Sequence, residues 1–107
     1  MIQRGDIRWF RFERPDKRRP VLVVGRRAAV PVLSRIVVVP FSTTIRGVVG
    51  EVVLDELDGL AVRSTLKVEW IRAVDRTLVG SRIAELPVHR WPELMHAVVY
   101  VLGLDQE

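Results

Sequence analysis

A chain of 107 residues has room for one domain, here 1–107, with a modest core, and its 49% apolar content makes oligomerisation a natural way to bury more surface. The absence of cysteine excludes disulfides and thiol chemistry, and no apolar run approaches the length of a membrane span. The net charge of +4 is unevenly spread: residues 1–50 hold 11 Lys and Arg against 3 Asp and Glu, residues 51–107 hold 6 against 10, and Arg outnumbers Lys 15 to 2.

The N-terminal stretch Met1-Ile2-Gln3-Arg4-Gly5-Asp6 lacks the apolar core of a signal peptide, so a cytoplasmic protein is expected. A basic half rich in forked guanidinium groups fits the electrostatic footprint of a nucleic-acid binder, and a host preference for Arg codons explains it equally well. Residues 8–12, Arg-Trp-Phe-Arg-Phe, alternate like a half-buried strand. Glu13-Arg14-Pro15-Asp16-Lys17 reads as a turn, and residues 20–25 as a short buried strand. Residues 26–33, with alanines and Pro31, suit a loop or a helical turn. The β-branched run at 36–41 is the strongest strand signal, followed by a polar loop over residues 42–47. Strands are expected at 51–54 and 64–68, around an exposed acidic turn at 55–59, with short strands at 70–74 and 78–83. From Trp91 the period changes to that of a helix, with Pro92 in its first turn and Gly103 at its end. Its apolar residues run most of the way round, so it needs cover on more than one side, as a second subunit would give. The whole is mainly β: about six short antiparallel strands and a C-terminal helix.

Taken in order, five pieces carry a family resemblance. They are Gly5-Asp6-Ile7-Arg8-Trp9, Arg18-Arg19-Pro20-Val21-Leu22-Val23, Val39-Pro40-Phe41-Ser42-Thr43-Thr44, Arg63-Ser64-Thr65-Leu66 and Ile71-Arg72-Ala73-Val74-Asp75. Along nearly its whole length the chain resembles the MazF/PemK/Kid toxins. The resemblance implies an SH3-like barrel with a terminal helix, a homodimer, and sequence-specific cleavage of single-stranded RNA without metal or other cofactor. It also implies an antitoxin partner whose extended tail occupies the active site. Two departures stand out. The family's longer, Gly-rich acidic loop before the Arg-Pro pair is replaced by Glu13-Arg14-Pro15-Asp16-Lys17-Arg18, and Trp70 stands where members often carry Gln.

Cleavage of this kind uses the RNA's own 2′-hydroxyl as nucleophile and is expected, by resemblance, to leave a 2′,3′-cyclic phosphate and a 5′-hydroxyl. Arg19 matches the family's catalytic Arg. Its fork suits two phosphate oxygens and developing charge, whereas a guanidinium is a poor proton carrier. Lys17 and Arg18 are read as attracting the RNA backbone. Ser42 stands where the family usually has Thr. Which hydroxyl of Ser42, Thr43 and Thr44 faces the phosphate is open by a residue, so Ser42 and Thr43 are taken as catalytic and Thr44 as RNA-binding. Ser64 is expected to shape the site, and Arg46 to contact RNA backbone or bases. Trp70 is either core, as neighbouring Ile71 and Val74 favour, or a base-stacking platform. Trp9 and Trp91 are read as core or interface. His89 and His96 lie two turns apart with no motif around them, and a structural or surface role is preferred for both. Asp55, Glu56 and Asp58 are read as a solvated turn. Two other readings compete. A gyrase-poisoning toxin of the CcdB type is expected to end in an apolar, Trp-containing tail, against which the terminal Leu104-Asp105-Gln106-Glu107 speaks. A non-catalytic SH3-like nucleic-acid module needs only the basic half.

Overall fold

The computed structural model describes residues 1–13 and 17–106, so the centre of the turn read at 13–17 lies outside the described residues. Seven antiparallel strands form: β1 (Asp6–Arg11), β2 (Arg18–Val23), β3 (Arg35–Ser42), β4 (Glu51–Leu54), β5 (Ser64–Lys67), β6 (Arg72–Asp75) and β7 (Val79–Glu85). A single α-helix, α1 (Trp91–Val101), follows them. The expected count of about six strands becomes seven because both short segments after Trp70 pair. The order is β4-β5-β3-β2-β1-β7, with β6 also on β3.

The bend of the sheet is set on β3. Its first half, Arg35 to Val38, pairs with β6, while Phe41 and Ser42 pair with β5. Between the two partners stands Pro40, which has no N–H to donate and so occupies the one stretch of this edge where none is needed. The two-residue period then sorts side chains into two cores. Leu22, Val39 and Phe41 join Ile7, Leu54 and Leu66 on one face, where Leu94 and Ala97 of α1 cover them. Val21, Val23 and Val38 join Phe10, Phe12 and Ile36 on the other, closed by Val30 from the turns after β2. Those turns are the expected helical turn: Val30 donates to the Arg26 carbonyl at 3.1 Å.

The helix ends as its sequence suggests. Gly103 takes φ 66°, its N–H bonds the Tyr100 carbonyl, and Leu104 N–H bonds that of Val99. Within this chain α1 is only half covered, and Met95, Tyr100 and Leu102 stay exposed. The acidic turn departs from expectation. Residues Glu56–Asp58 form a 3₁₀ turn capped by Asp55, and Asp58 is buried rather than solvated. Its carboxylate accepts from Arg90 at 3.0 Å, and Arg90 also donates to the Val53 carbonyl at 2.7 Å, pinning the start of α1 to β4. No helix among the described residues is long and apolar enough to cross a membrane.

Candidate active site

A cleft of about 420 Å³ opens where β2 begins and β3 ends. Lys17, Arg18 and Arg19 line it with Ser42, Thr43, Thr44 and Ser64, so seven of the nine residues singled out from sequence come together. Apolar groups that include Trp9, Leu60, Val62 and Ile83 add to the lining, and among the described residues no carboxylate lines it. Three cations facing hydroxyls make a receptor for an anion with apolar parts.

Adjacent residues of β2 point to opposite faces. Arg18 lies across β1, its guanidinium carbon 4.1 Å from the centre of the Trp9 ring. Arg19, half-buried, turns the other way, to 5.8 Å from Phe12 and 5.4 Å from Trp70, and its Nη1 donates to the Phe41 carbonyl at 3.1 Å. Phe41 is joined directly to Ser42, so this bond sets the guanidinium one peptide from the first hydroxyl. Ser42 Oγ accepts from Thr44 N–H at 3.1 Å, a side-chain turn that shapes the exit from β3 while the Ser42 hydroxyl proton stays available to a ligand. Buried Ser64 donates to the Val62 carbonyl at 3.0 Å, consistent with shaping the wall rather than offering its proton.

Trp9 was read only as core or interface, yet it lines the cleft. Strand alternation carries the missed signal: Trp9 faces Pro20 in register, and Arg11 faces Arg18, so an aromatic is set beside a cation. The Gly5-Asp6 motif supports this strand. Gly5 adopts φ 93°, and buried Asp6 accepts from Arg8 at 2.9 Å and Arg82 at 3.2 Å, clamping β1 to β7. The two histidines are exposed and are absent from the cleft lining, as the surface reading held.

Two candidates stand apart. Arg46 is absent from the cleft lining and lines a different depression, near the end of α1. Its backbone, with those of Gly47 and Val48, wraps the Glu51 carboxylate in N–H bonds of 2.8 to 3.3 Å. These bonds, that of Arg46 foremost, hold the Glu51 carboxyl below its ordinary range against the opposing pull of burial, and Lys67 adds to the effect. Trp70 is 42% exposed, which overturns the preferred core reading; a 3₁₀ turn, Val68–Trp70, lifts it out before β6 starts.

Residues 3–102 match the family model of PemK-like, MazF-like toxins of type II toxin–antitoxin systems, and the chain belongs to this family. The endoribonuclease MazF3 of Mycobacterium tuberculosis is 32% identical over 90 residues, covering 84% of this chain and 87% of the relative. The probable endoribonuclease MazF5 of the same organism is 37% identical over 84 residues, 78% of this chain and 76% of that one. The Mycobacterium tuberculosis toxin MazF-mt6 superposes with a TM-score of 0.83 at 28% identity, over 95% of this chain and 98% of the toxin.

Proposed function

We propose that this chain is the toxin of a type II toxin–antitoxin pair and acts as a metal-independent, sequence-specific endoribonuclease on single-stranded RNA, mRNA included, in the cytoplasm. The observation that carries the reading is the cleft in which the Arg19 guanidinium bonds the Phe41 carbonyl, one peptide from Ser42, among cations and hydroxyls. In the proposed reaction the 2′-hydroxyl gives up its proton as its oxygen bonds to the adjacent phosphorus, and the bond to the 5′-oxygen breaks as that oxygen takes up a proton, giving a 2′,3′-cyclic phosphate and a 5′-hydroxyl with no net change in protons. Negative charge grows on the non-bridging oxygens. Arg19 offers them a forked, permanently charged donor, and Ser42 and Thr43 offer hydroxyls. Lys17 and Arg18 hold the flanking phosphates, with exposed Thr44 beside them and buried Ser64 shaping the wall. Arg46 would reach RNA only beyond the cleft.

The same cleft suits an extended antitoxin tail that is acidic and apolar, because its cations alternate with Trp9, Leu60 and Val62. Such a tail excludes RNA by occupying the cleft. We also propose a two-fold homodimer through the apolar groove of about 500 Å³ beside α1, where Ile71, Met95, Val98 and Leu104 contribute.

The test is cleavage of a long single-stranded RNA by purified protein in EDTA, with mapping of the product ends. Discrete cuts with cyclic-phosphate termini are expected. Arg19→Ala should lower the rate by about two to three orders of magnitude, the usual loss for such a donor, with the fold retained. Ser42→Ala should cost less if Thr43 substitutes for it. Binding without cuts would leave a nucleic-acid module, and inhibition of gyrase would favour the CcdB type.

A further inference from the structure

We infer that Trp70 is a positioning residue for Arg19: with Lys67 beside it, the ring holds the guanidinium against the Phe41 carbonyl. The inference rests on the proposed role of Arg19. A charge-stabilising donor is effective only if it is already aimed when charge develops, and a long, half-buried Arg has many rotamers to choose from. On β2 the Arg19 side chain meets two rings, Phe12 at 5.8 Å and Trp70 at 5.4 Å, while Nη1 bonds the Phe41 carbonyl at 3.1 Å. The negative face of an aromatic ring attracts a cation, indole most strongly.

Trp70 is itself held. The ammonium of Lys67 lies 5.6 Å from its ring centre, and that side chain is buried to 6% exposure. Lys67 is fixed by Glu69 at 3.5 Å and Glu51 at 3.9 Å, and Glu51 is locked by the backbone of residues 46–48. A burial role is a poor account of this tryptophan, since it belongs to neither core and is 42% exposed. A base-stacking role is not excluded by exposure, but a base stacking on a ring face that Arg19 or Lys67 overlies has to displace that cation.

The test compares wild type, Trp70→Phe, Trp70→Ala, Arg19→Ala and the double variant Arg19→Ala/Trp70→Ala. Trp70→Leu, which keeps apolar bulk without a ring, replaces the alanine variant if melting shows that one unfolded. Trp70→Ala should lower the single-turnover cleavage rate at saturating RNA by about tenfold, the scale of one well-placed cation–ring contact. Affinity for an uncleavable 2′-deoxy analogue should stay within about twofold, and Trp70→Phe should recover most of the rate. In the Arg19→Ala background the same change should cost nothing further. Independently of cleavage, the Arg19 Nε–Hε resonance, identified by its absence from Arg19→Ala, should shift and broaden in Trp70→Ala and not in Trp70→Phe. An unmoved resonance overturns the proposal. So does a changed RNA affinity and cut-site preference with the saturating rate intact, which would make Trp70 a base platform. If Arg19→Ala cleaves normally, the nuclease role of Arg19 fails, and the resonance alone decides whether Trp70 orders it.

Discussion

Arg18 and Arg19 are neighbours in sequence that the strand turns in different directions, and both line the cleft. Arg18 lies on Trp9 and faces the cleft, exposed enough to meet a phosphate. Arg19 is half-buried between rings and a carbonyl, where its orientation is restricted. Their losses should therefore read differently. Arg19→Ala should lower the cleavage rate by about two to three orders of magnitude. Arg18→Ala should weaken binding across all sequences, and the slope of log affinity against log salt should fall by about 0.7, the share of one phosphate contact on a single strand. An unchanged slope would place Arg18 off the RNA backbone. Trp9 has the complementary role of a flat apolar wall, and its contact with Arg18 couples the two.

The segment between β3 and β4 shows how one side chain organises an element. Glu51 begins β4 and collects the N–H groups of Arg46, Gly47 and Val48, which in a loop otherwise need water. Because these bonds favour the charged form, the folded carboxyl titrates below the ordinary Glu value of 4.5. A depressed carboxyl contributes stability that is present above the unfolded value and lost as pH falls through the folded one. Acidification from about pH 4.5 downward should thus release residues 46–50 before the strands. The Glu51 carboxyl carbon and the Gly47 amide should shift together in an NMR titration, and Glu51→Gln should remove the transition. A Glu51 midpoint at or above 4.5 would refute the account. Lys67 stands on both this carboxylate and Trp70, so the loop is tied to the cleft by one buried cation.

At the scale of the molecule, the basic first half supplies β1, β2 and β3 with the cations of the cleft, and the acidic second half supplies their scaffold. Asp6–Arg82 and Asp58–Arg90 join distant parts of the chain. The outer apolar face of α1, away from Leu94 and Ala97, has no comparable cover among the described residues: Met95 is 59% and Leu104 64% exposed. Covering such a groove with its own copy buries both patches at once. Met95→Asp should give monomers in light scattering at micromolar concentration, where the parent chain should scatter as a dimer. A parent chain that is already monomeric there would end the dimer proposal.

Much of this was legible before any coordinates. The strand at Glu51–Leu54, the helix from Trp91 and the polar loop after Phe41 follow from period, β-branching, the helix start at Pro92 and its stop at Gly103, which are local properties. The grouping of Lys17, Arg18, Arg19 and the 42–44 hydroxyls followed from the order of family motifs. Tertiary structure alone decided where equally suited residues ended up. Asp58 looked like a solvent-facing acid until Arg90, 32 residues on, met it. Arg46 was read as an RNA contact, and the fold sets it outside the cleft with its main chain bonded to Glu51. Trp70 was drawn toward the core by its apolar neighbours, and a single 3₁₀ turn put it beside Arg19 instead. Each depends on a partner or a chain direction set far along the sequence, and a local pattern of hydrophobicity and charge holds no record of that pairing.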